Sequence, residues 1–192
     1  MKLPNLHVEN EFIKIIPFKH IHFDALLEAG SEWSLWKHYI DKPSSESELL
    51  DYLNRVMDFQ EKGQWRAHTI FTHDNKCVGQ TCYMALRLEN DGLEIGGTWY
   101  NPKFHGTKIN PAAKLALLNH AFENGAKRVE FKTDSLNSHS RAAILKLGAK
   151  YEGIFRNHMI RKDGSMRDSA YFSIIDSEWN EIKQALLNRL KA

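Results

Sequence analysis

Alternation and helical spacing divide the chain into short segments of two kinds. Glu11-Phe12-Ile13-Lys14-Ile15-Ile16 alternates as a strand does, and Pro17 stops it. From His20 to Ala29 the apolar residues Ile21, Ala25, Leu26 and Ala29 recur near helical spacing, with Gly30 as the stop. The aromatic segment Glu32-Trp33-Ser34-Leu35-Trp36-Lys37-His38-Tyr39 follows; Trp33, Trp36 and Ile40 could share a buried helix face. Pro43-Ser44-Ser45 reads as loop and cap. Ser45 with Glu48 fits a capping box, and Leu49, Leu50, Leu53, Val56 and Met57 line one face of a helix that ends at Gly63. Two strands, 66–72 and 77–86, are joined by Asp74-Asn75, and the turn Asn90-Asp91-Gly92 leads into a third, 93–100.

The second half continues with a helix over 111–124, a strand over 128–134, and a polar turn at Asn137 into a further helix. Strands over 150–161 and 166–175 flank Asp163-Gly164, a hairpin signal, and 178–190 closes the chain as an amphipathic helix. Strands interspersed with helices, and a late hairpin, predict an α/β domain built on one mixed sheet. At 192 residues, one domain spanning 1–192 is expected, its core about 11–176.

Composition narrows the class. A 42% hydrophobic and 26% charged chain is ordinary for a soluble globular protein. The formal net charge of +2 is too small for a nucleic-acid binder driven by bulk electrostatics. Cys77 and Cys82, five apart in one strand, should face opposite ways and stay unpaired in a reducing compartment. No signal-peptide core or membrane-length apolar run is visible, so a cytoplasmic protein without a membrane partner is expected. No pattern of metal ligands is present, and no metal is expected.

The chemistry concentrates between Leu93 and Gly148. Here a strand runs into a small, basic loop, Lys103-Phe104-His105-Gly106-Thr107-Lys108-Ile109-Asn110, at the start of a helix. Loop amides and the helix dipole together favour a phosphate. Gly96-Gly97 inside a strand marks a bulge or a close backbone approach, and Asn137 is a good helix cap.

The order of motifs resembles the GNAT superfamily of acetyl-CoA-dependent N-acetyltransferases, and within it the RimJ/RimL-like branch that acetylates ribosomal-protein N-termini. The residues carrying the resemblance are Ile95-Gly96 with Thr98-Trp99, Gly106-Thr107, Asn110 with Ala113-Lys114, and 128–134. They continue with Asn137, Ser140-Arg141, 146–149, Glu152-Gly153, 156–159, Asp163-Gly164 and Arg167-Asp168. The resemblance implies a single-domain GNAT fold: a mixed, mostly antiparallel sheet splayed at its central strands, with helices on both faces. It also implies acetyl-CoA as co-substrate. His105, Gly106, Thr107, Lys108 and Asn110 would hold its pyrophosphate, and Thr98, Trp99, Tyr100 and Asn137 its pantetheine arm. The family's loop has Arg or Gln, two residues, Gly, any residue, then Gly or Ala. This chain keeps Gly106 but has Lys103 first and Lys108 last.

The helix tyrosine that many members use as general acid corresponds to Ile144, and the branch's serine matches Ser140, a hydrogen-bond donor for the departing thiolate. A strand glutamate of some members falls at Met159, which leaves Glu94 and His158 as alternative bases; His158 should face away from position 159's side. The partner would be an amine acceptor, either a protein or peptide N-terminus or a small molecule such as a polyamine, amino acid derivative or antibiotic. A non-catalytic acyl-CoA-binding module and either a monomer or a homodimer are compatible with the same residues.

Overall fold

The computed structural model describes residues 1–191. Eight strands form one sheet: β1 (Val8–Glu9), β2 (Ile13–Pro17), β3 (Arg66–Thr72), β4 (Cys77–Arg87), β5 (Gly92–Tyr100), β6 (Arg128–Asp134), β7 (Lys150–Ile160) and β8 (Met166–Ile175). Their spatial order is β1-β2-β3-β4-β5-β6-β8-β7. Every neighbouring pair is antiparallel except β5–β6. The helices are α1 (Phe23–Ala29), α2 (Glu46–Glu61), α3 (Ile109–Glu123), α4 (Ser138–Leu147) and α5 (Asp176–Lys191).

Side-chain alternation gives the sheet two faces and therefore two cores. Leu93 and Ile95 of β5, Val129 and Phe131 of β6, and Ala170, Phe172 and Ile174 of β8 pack with α3 and α5 on one face. On the other, α1 and α2 bury Leu26, Leu49, Leu53 and Val56 against Ala67, Cys82 and Trp99. That second layer reaches only as far as β5. The same face of β6, β8 and β7 carries mainly charged and polar residues, with Phe155 stacked on Tyr171, so this part of the sheet presents a polar wall.

Most elements lie where alternation and helical spacing predict them, with differences at the ends and wherever the ladder breaks. The expected helix over 20–29 begins as a 3₁₀ turn (His20–His22) that leaves Ile21 84% exposed. Trp33–His38 is also 3₁₀. There Trp36 is fully buried and donates from Nε1 to the Gly30 carbonyl (2.9 Å), whereas Trp33 stays half-exposed. Ser45 caps α2 by accepting from the Glu48 amide (3.3 Å); the Glu48 carboxylate accepts from the Ser44 amide, not from Ser45. Leu50 turns outward, and Tyr52 takes its place in the buried face. The last helix starts at Asp176, two residues early.

The expected opposition of Cys77 and Cys82 does not hold. Ile70 pairs with Gly79 and Phe71 with Cys77, so Val78 is an extra residue in β4. One inserted residue reverses the alternation, and both cysteines, unpaired, turn to the α2 side.

Candidate active site

Parallel pairing between β5 and β6 covers only Gly92–Glu94 against Arg128–Glu130. Beyond that point β6 stays bonded to β8 while β5 follows β4, and the two central strands separate. A second irregularity lies in the opening. Gln80 pairs with Trp99 and Cys82 with Gly96, which leaves Gly97 and Thr98 together opposite Thr81. Gly97 has φ +56°, the left-handed geometry of a glycine bulge. Thr98 is pinned there three ways: its carbonyl accepts from the Tyr39 hydroxyl, and its Oγ1 meets Thr81 Oγ1 (2.7 Å) and the Lys114 ammonium (3.0 Å).

Lys114 is the least expected member of this group. It sits on the sheet-facing side of α3 among Ala113, Leu117 and Leu118, with Nζ 5.9 Å from the centre of the Phe131 ring. Burial pushes its pKa down to about 7, since desolvation penalises the ammonium and no carboxylate compensates. A lone lysine in an otherwise apolar helix face was the available sequence signal.

The basic loop lies at the other end of β5. Gly106 takes φ +74° in open space, and the amides of Gly106, Thr107 and Lys108 find no acceptor among the described residues. Three free, consecutive amides at a helix start form an anion-binding concavity. The Lys108 ammonium, however, donates to the Leu190 carbonyl (2.8 Å), so that side chain is tied to α5. His105 joins Nε2 to the Tyr100 carbonyl (3.1 Å) and stacks on His139, with centroids 6.3 Å apart, bringing the loop against the start of α4. Trp99 is buried against Trp36. The Thr98 and Tyr100 carbonyls thus each hold one protein partner already. Asn110 is half-buried.

At α4, Asn137 Oδ1 caps the Ser140 amide (3.0 Å), and Ser140 stands half-buried in the first turn. The cap uses only the oxygen of the Asn137 amide, which leaves its NH₂ available for a ligand.

Glu94 and His158 occupy the polar wall. Glu94 is 4% exposed and pairs with Lys132 (3.2 Å); burial raises its pKa and Lys132 opposes that rise. Its carboxylate folds back over Gly96, where a Cβ would come within 2.6 Å of Oε1, so the glycine makes room for the acid beside the bulge.

His158 does not follow simple alternation. Phe155 pairs with Ser169 and Met159 with Arg167, which leaves Arg156, Asn157 and His158 opposite Asp168 alone. The bulge is held by the Asn157 amide donating to Asp168 Oδ1 (2.7 Å). It sets His158 Nδ1 3.0 Å from Ser169 Oγ and Nε2 3.4 Å from the Tyr171 hydroxyl. Burial, Lys132 and Arg167 all lower the His158 pKa, so the imidazole is neutral at pH 7 and able to accept a proton.

The His105–His139 stack brings the loop to the start of α4, and Glu94, Lys132, His158 and Arg167 stand together on the polar face of the sheet. Among the described residues no group of three His, Cys, Asp or Glu side chains could hold a metal, and no helix is long and apolar enough to cross a membrane.

Residues 13–150 match the family model described as an acetyltransferase (GNAT) domain. A GCN5-related N-acetyltransferase from Brucella melitensis is 26% identical, with 98% of this chain and 87% of that chain aligned at a TM-score of 0.90. A T. thermophilus protein assigned as an acetyltransferase is 28% identical over 99% of both chains, at 0.87. A Salmonella typhimurium acetyl transferase that modifies the N-terminal serine of ribosomal protein L7/L12 shares the fold at 20% identity. It aligns over 86% of this chain and 96% of its own, with a TM-score of 0.75. No curated protein matches the chain.

Proposed function

This chain belongs to the GNAT acetyltransferase domain family and is an N-acetyltransferase, and we propose that it acetylates a protein or peptide N-terminal α-amino group. The observation that carries this reading is the opened β5–β6 seam with its glycine bulge, next to three unpartnered loop amides. Those features suit a pyrophosphate and a peptide-like arm, the two parts of acetyl-CoA that a backbone can recognise. Acetyl-CoA supplies the activated acetyl group. Gly106, Thr107 and Lys108 would bind its phosphates through their amides, and Trp99 and Asn137 its arm.

The acceptor amine attacks directly, with no covalent enzyme intermediate. It must be neutral to attack, so either Glu94 or neutral His158 takes its proton, through water where the reach is long. Ser140 donates a hydrogen bond to the departing thiolate. A main-chain N–H at the bulge faces the developing oxyanion. The N-terminal acceptor draws support from the shared fold of the Salmonella protein and from the motif order. The free Cys77 and Cys82 suit a reducing cytoplasm.

One observation favours a small amine as a second reading. The Lys162 amide donates to the Ile40 carbonyl (3.2 Å) and its ammonium pairs with Glu48, so the β7–β8 hairpin tip closes onto the segment before α2. Closure there shortens any peptide groove.

The test is CoA release from acetyl-CoA with N-terminal peptides, polyamines and aminoglycosides. Turnover confined to peptides supports the main reading and turnover confined to small amines the second. Release with none of them refutes both.

A further inference from the structure

The polar wall is balanced almost pair by pair. Lys132 faces Glu94 (3.2 Å), Arg161 faces Asp134 (2.7 Å), Arg87 faces Glu130 (2.9 Å), and Arg128 is paired with Glu152 and Glu130. Arg167 breaks the pattern. It is 7% exposed, its Nε is buried without an acceptor, and it forms neither an ion pair nor a hydrogen bond among the described residues. Histidine or lysine could answer burial by losing a proton; a guanidinium cannot. An isolated buried cation is costly to fold around unless something else neutralises it.

Position says what that partner would be. Arg167 opens β8 opposite Met159, beside the bulge that Asp168 pins. Its charge acts on Tyr39 from the segment before α2, Glu94 of β5, Asp134 of β6, His158 of β7 and Tyr171 of β8. Those groups surround the place where an acceptor amine would stand. The three unpartnered loop amides belong to the start of α3, which packs on the opposite face of the sheet. The pyrophosphate therefore has its own site and does not need Arg167.

We propose that Arg167 is an anion subsite of the acceptor pocket, so that the acceptor is an amine with a carboxylate a few bonds away. This rests on the acetyl-transfer reading above. A carboxylate matches the planar fork of a guanidinium and brings one negative charge to a wall that lacks one. The other cations of the wall are already paired, so a dianionic phosphate would leave an excess. An acidic residue at a peptide N-terminus and a free acidic amino acid present the same group.

The probes are two matched pairs: the peptide amides Glu-Gly-Gly-Gly and Gln-Gly-Gly-Gly, and free L-glutamate with L-glutamine amide. Each is titrated calorimetrically into the CoA-saturated protein, and CoA release is measured with acetyl-CoA. The wild type should bind the acidic member of at least one pair tenfold or more tightly, and the pair that does so identifies the source. Arg167→Gln should erase that preference while leaving CoA affinity and folding intact, and Arg167→Lys should restore part of it.

Equal affinity within both pairs, no binding of any probe, or a preference surviving in Arg167→Gln would overturn the proposal. Weaker binding of CoA and of both pair members alike would also overturn it, since Arg167 would then be structural. Because the titration does not need turnover, absence of CoA release with every amine would refute the acetyl-transfer reading alone.

Discussion

Replacing Lys114 with methionine should make this protein more stable, and by an amount that depends on pH. Burial lowers the lysine from its ordinary 10.5 to about 7. In the unfolded chain it titrates near 10.5, so between pH 7 and 10.5 the unfolded state binds the extra proton. Stability therefore rises with pH through that window, and the penalty is complete below pH 7. Three and a half pH units at 1.36 kcal/mol each make the penalty about 5 kcal/mol. Methionine keeps the stem but loses the hydrogen bond to Thr98 Oγ1, worth about 1 kcal/mol. The net gain at pH 6 should be about 3–4 kcal/mol.

Urea unfolding of both proteins at pH 6, 7, 8.5 and 9.5 measures this directly. Other groups titrate in the same range, among them Cys82, whose thiol burial pushes up. The difference between the two proteins cancels them. It should shrink by about 3 kcal/mol from pH 7 to 9.5. A constant difference, or a less stable variant at pH 6, would show that Lys114 is not held against an unfavourable pKa.

Three further outcomes are expected. Ser140→Ala should lower turnover by about tenfold to a hundredfold with little effect on acetyl-CoA affinity, as for loss of one donor to a developing anion; an unchanged rate removes Ser140 from the mechanism. The acidic limb of kcat/KM identifies the base. A His158 base works to below its ordinary 6.5 because its pKa is lowered, and a Glu94 base fails from above its ordinary 4.5 because its pKa is raised. Since those directions converge, the variants decide: in either His158→Gln or Glu94→Gln the limb should move up to the ionisation of the acceptor amine itself, about 8 for an α-amino group, and an unmoved limb in both eliminates both. Gly79→Ala should destabilise by more than about 3 kcal/mol, because its Cβ would lie 2.1 Å from the Trp99 carbonyl oxygen. Thermal unfolding close to the wild type would refute that contact.

The readable parts of this fold are those set by local rules. The boundaries 66–72, 128–134 and 166–175 match the strands found, because turn residues bound them: Gly63 and Asp74-Asn75 around the first, Gly125 before the second and Asp163-Gly164 before the third. Gly106 was legible for a related reason: a loop that must reach positive φ at a helix start has little alternative to glycine. Gly96-Gly97 likewise announced its bulge, although nothing local could show that Gly96 also makes room for the Glu94 carboxylate. Charge partners were illegible for a different reason. Lys132–Glu94 joins two strands and Arg161–Asp134 joins the hairpin turn to β6, and the isolation of Arg167 is a property of every element around it.

Alternation fails in a specific way at the bulges, and those failures are where the site assembles. An extra residue reverses which face each later side chain takes, so an argument from odd and even spacing holds only between two bulges. Val78 turns Cys77 to the same side as Cys82; Gly97 sets Thr98 against Lys114 and Tyr39; the 156–158 bulge presents His158 to Ser169 and Tyr171. Glycine marks the first two, Gly79 at φ +153° and Gly97 at φ +56°, but not the third. The third turns on Asn157 at φ +49°, a residue type that tolerates left-handed backbone, and Asp168 accepts from its amide. An Asn followed eleven residues later by an Asp across a hairpin was the one sequence trace of that bulge. It becomes readable only once Asp163-Gly164 has fixed the turn between them.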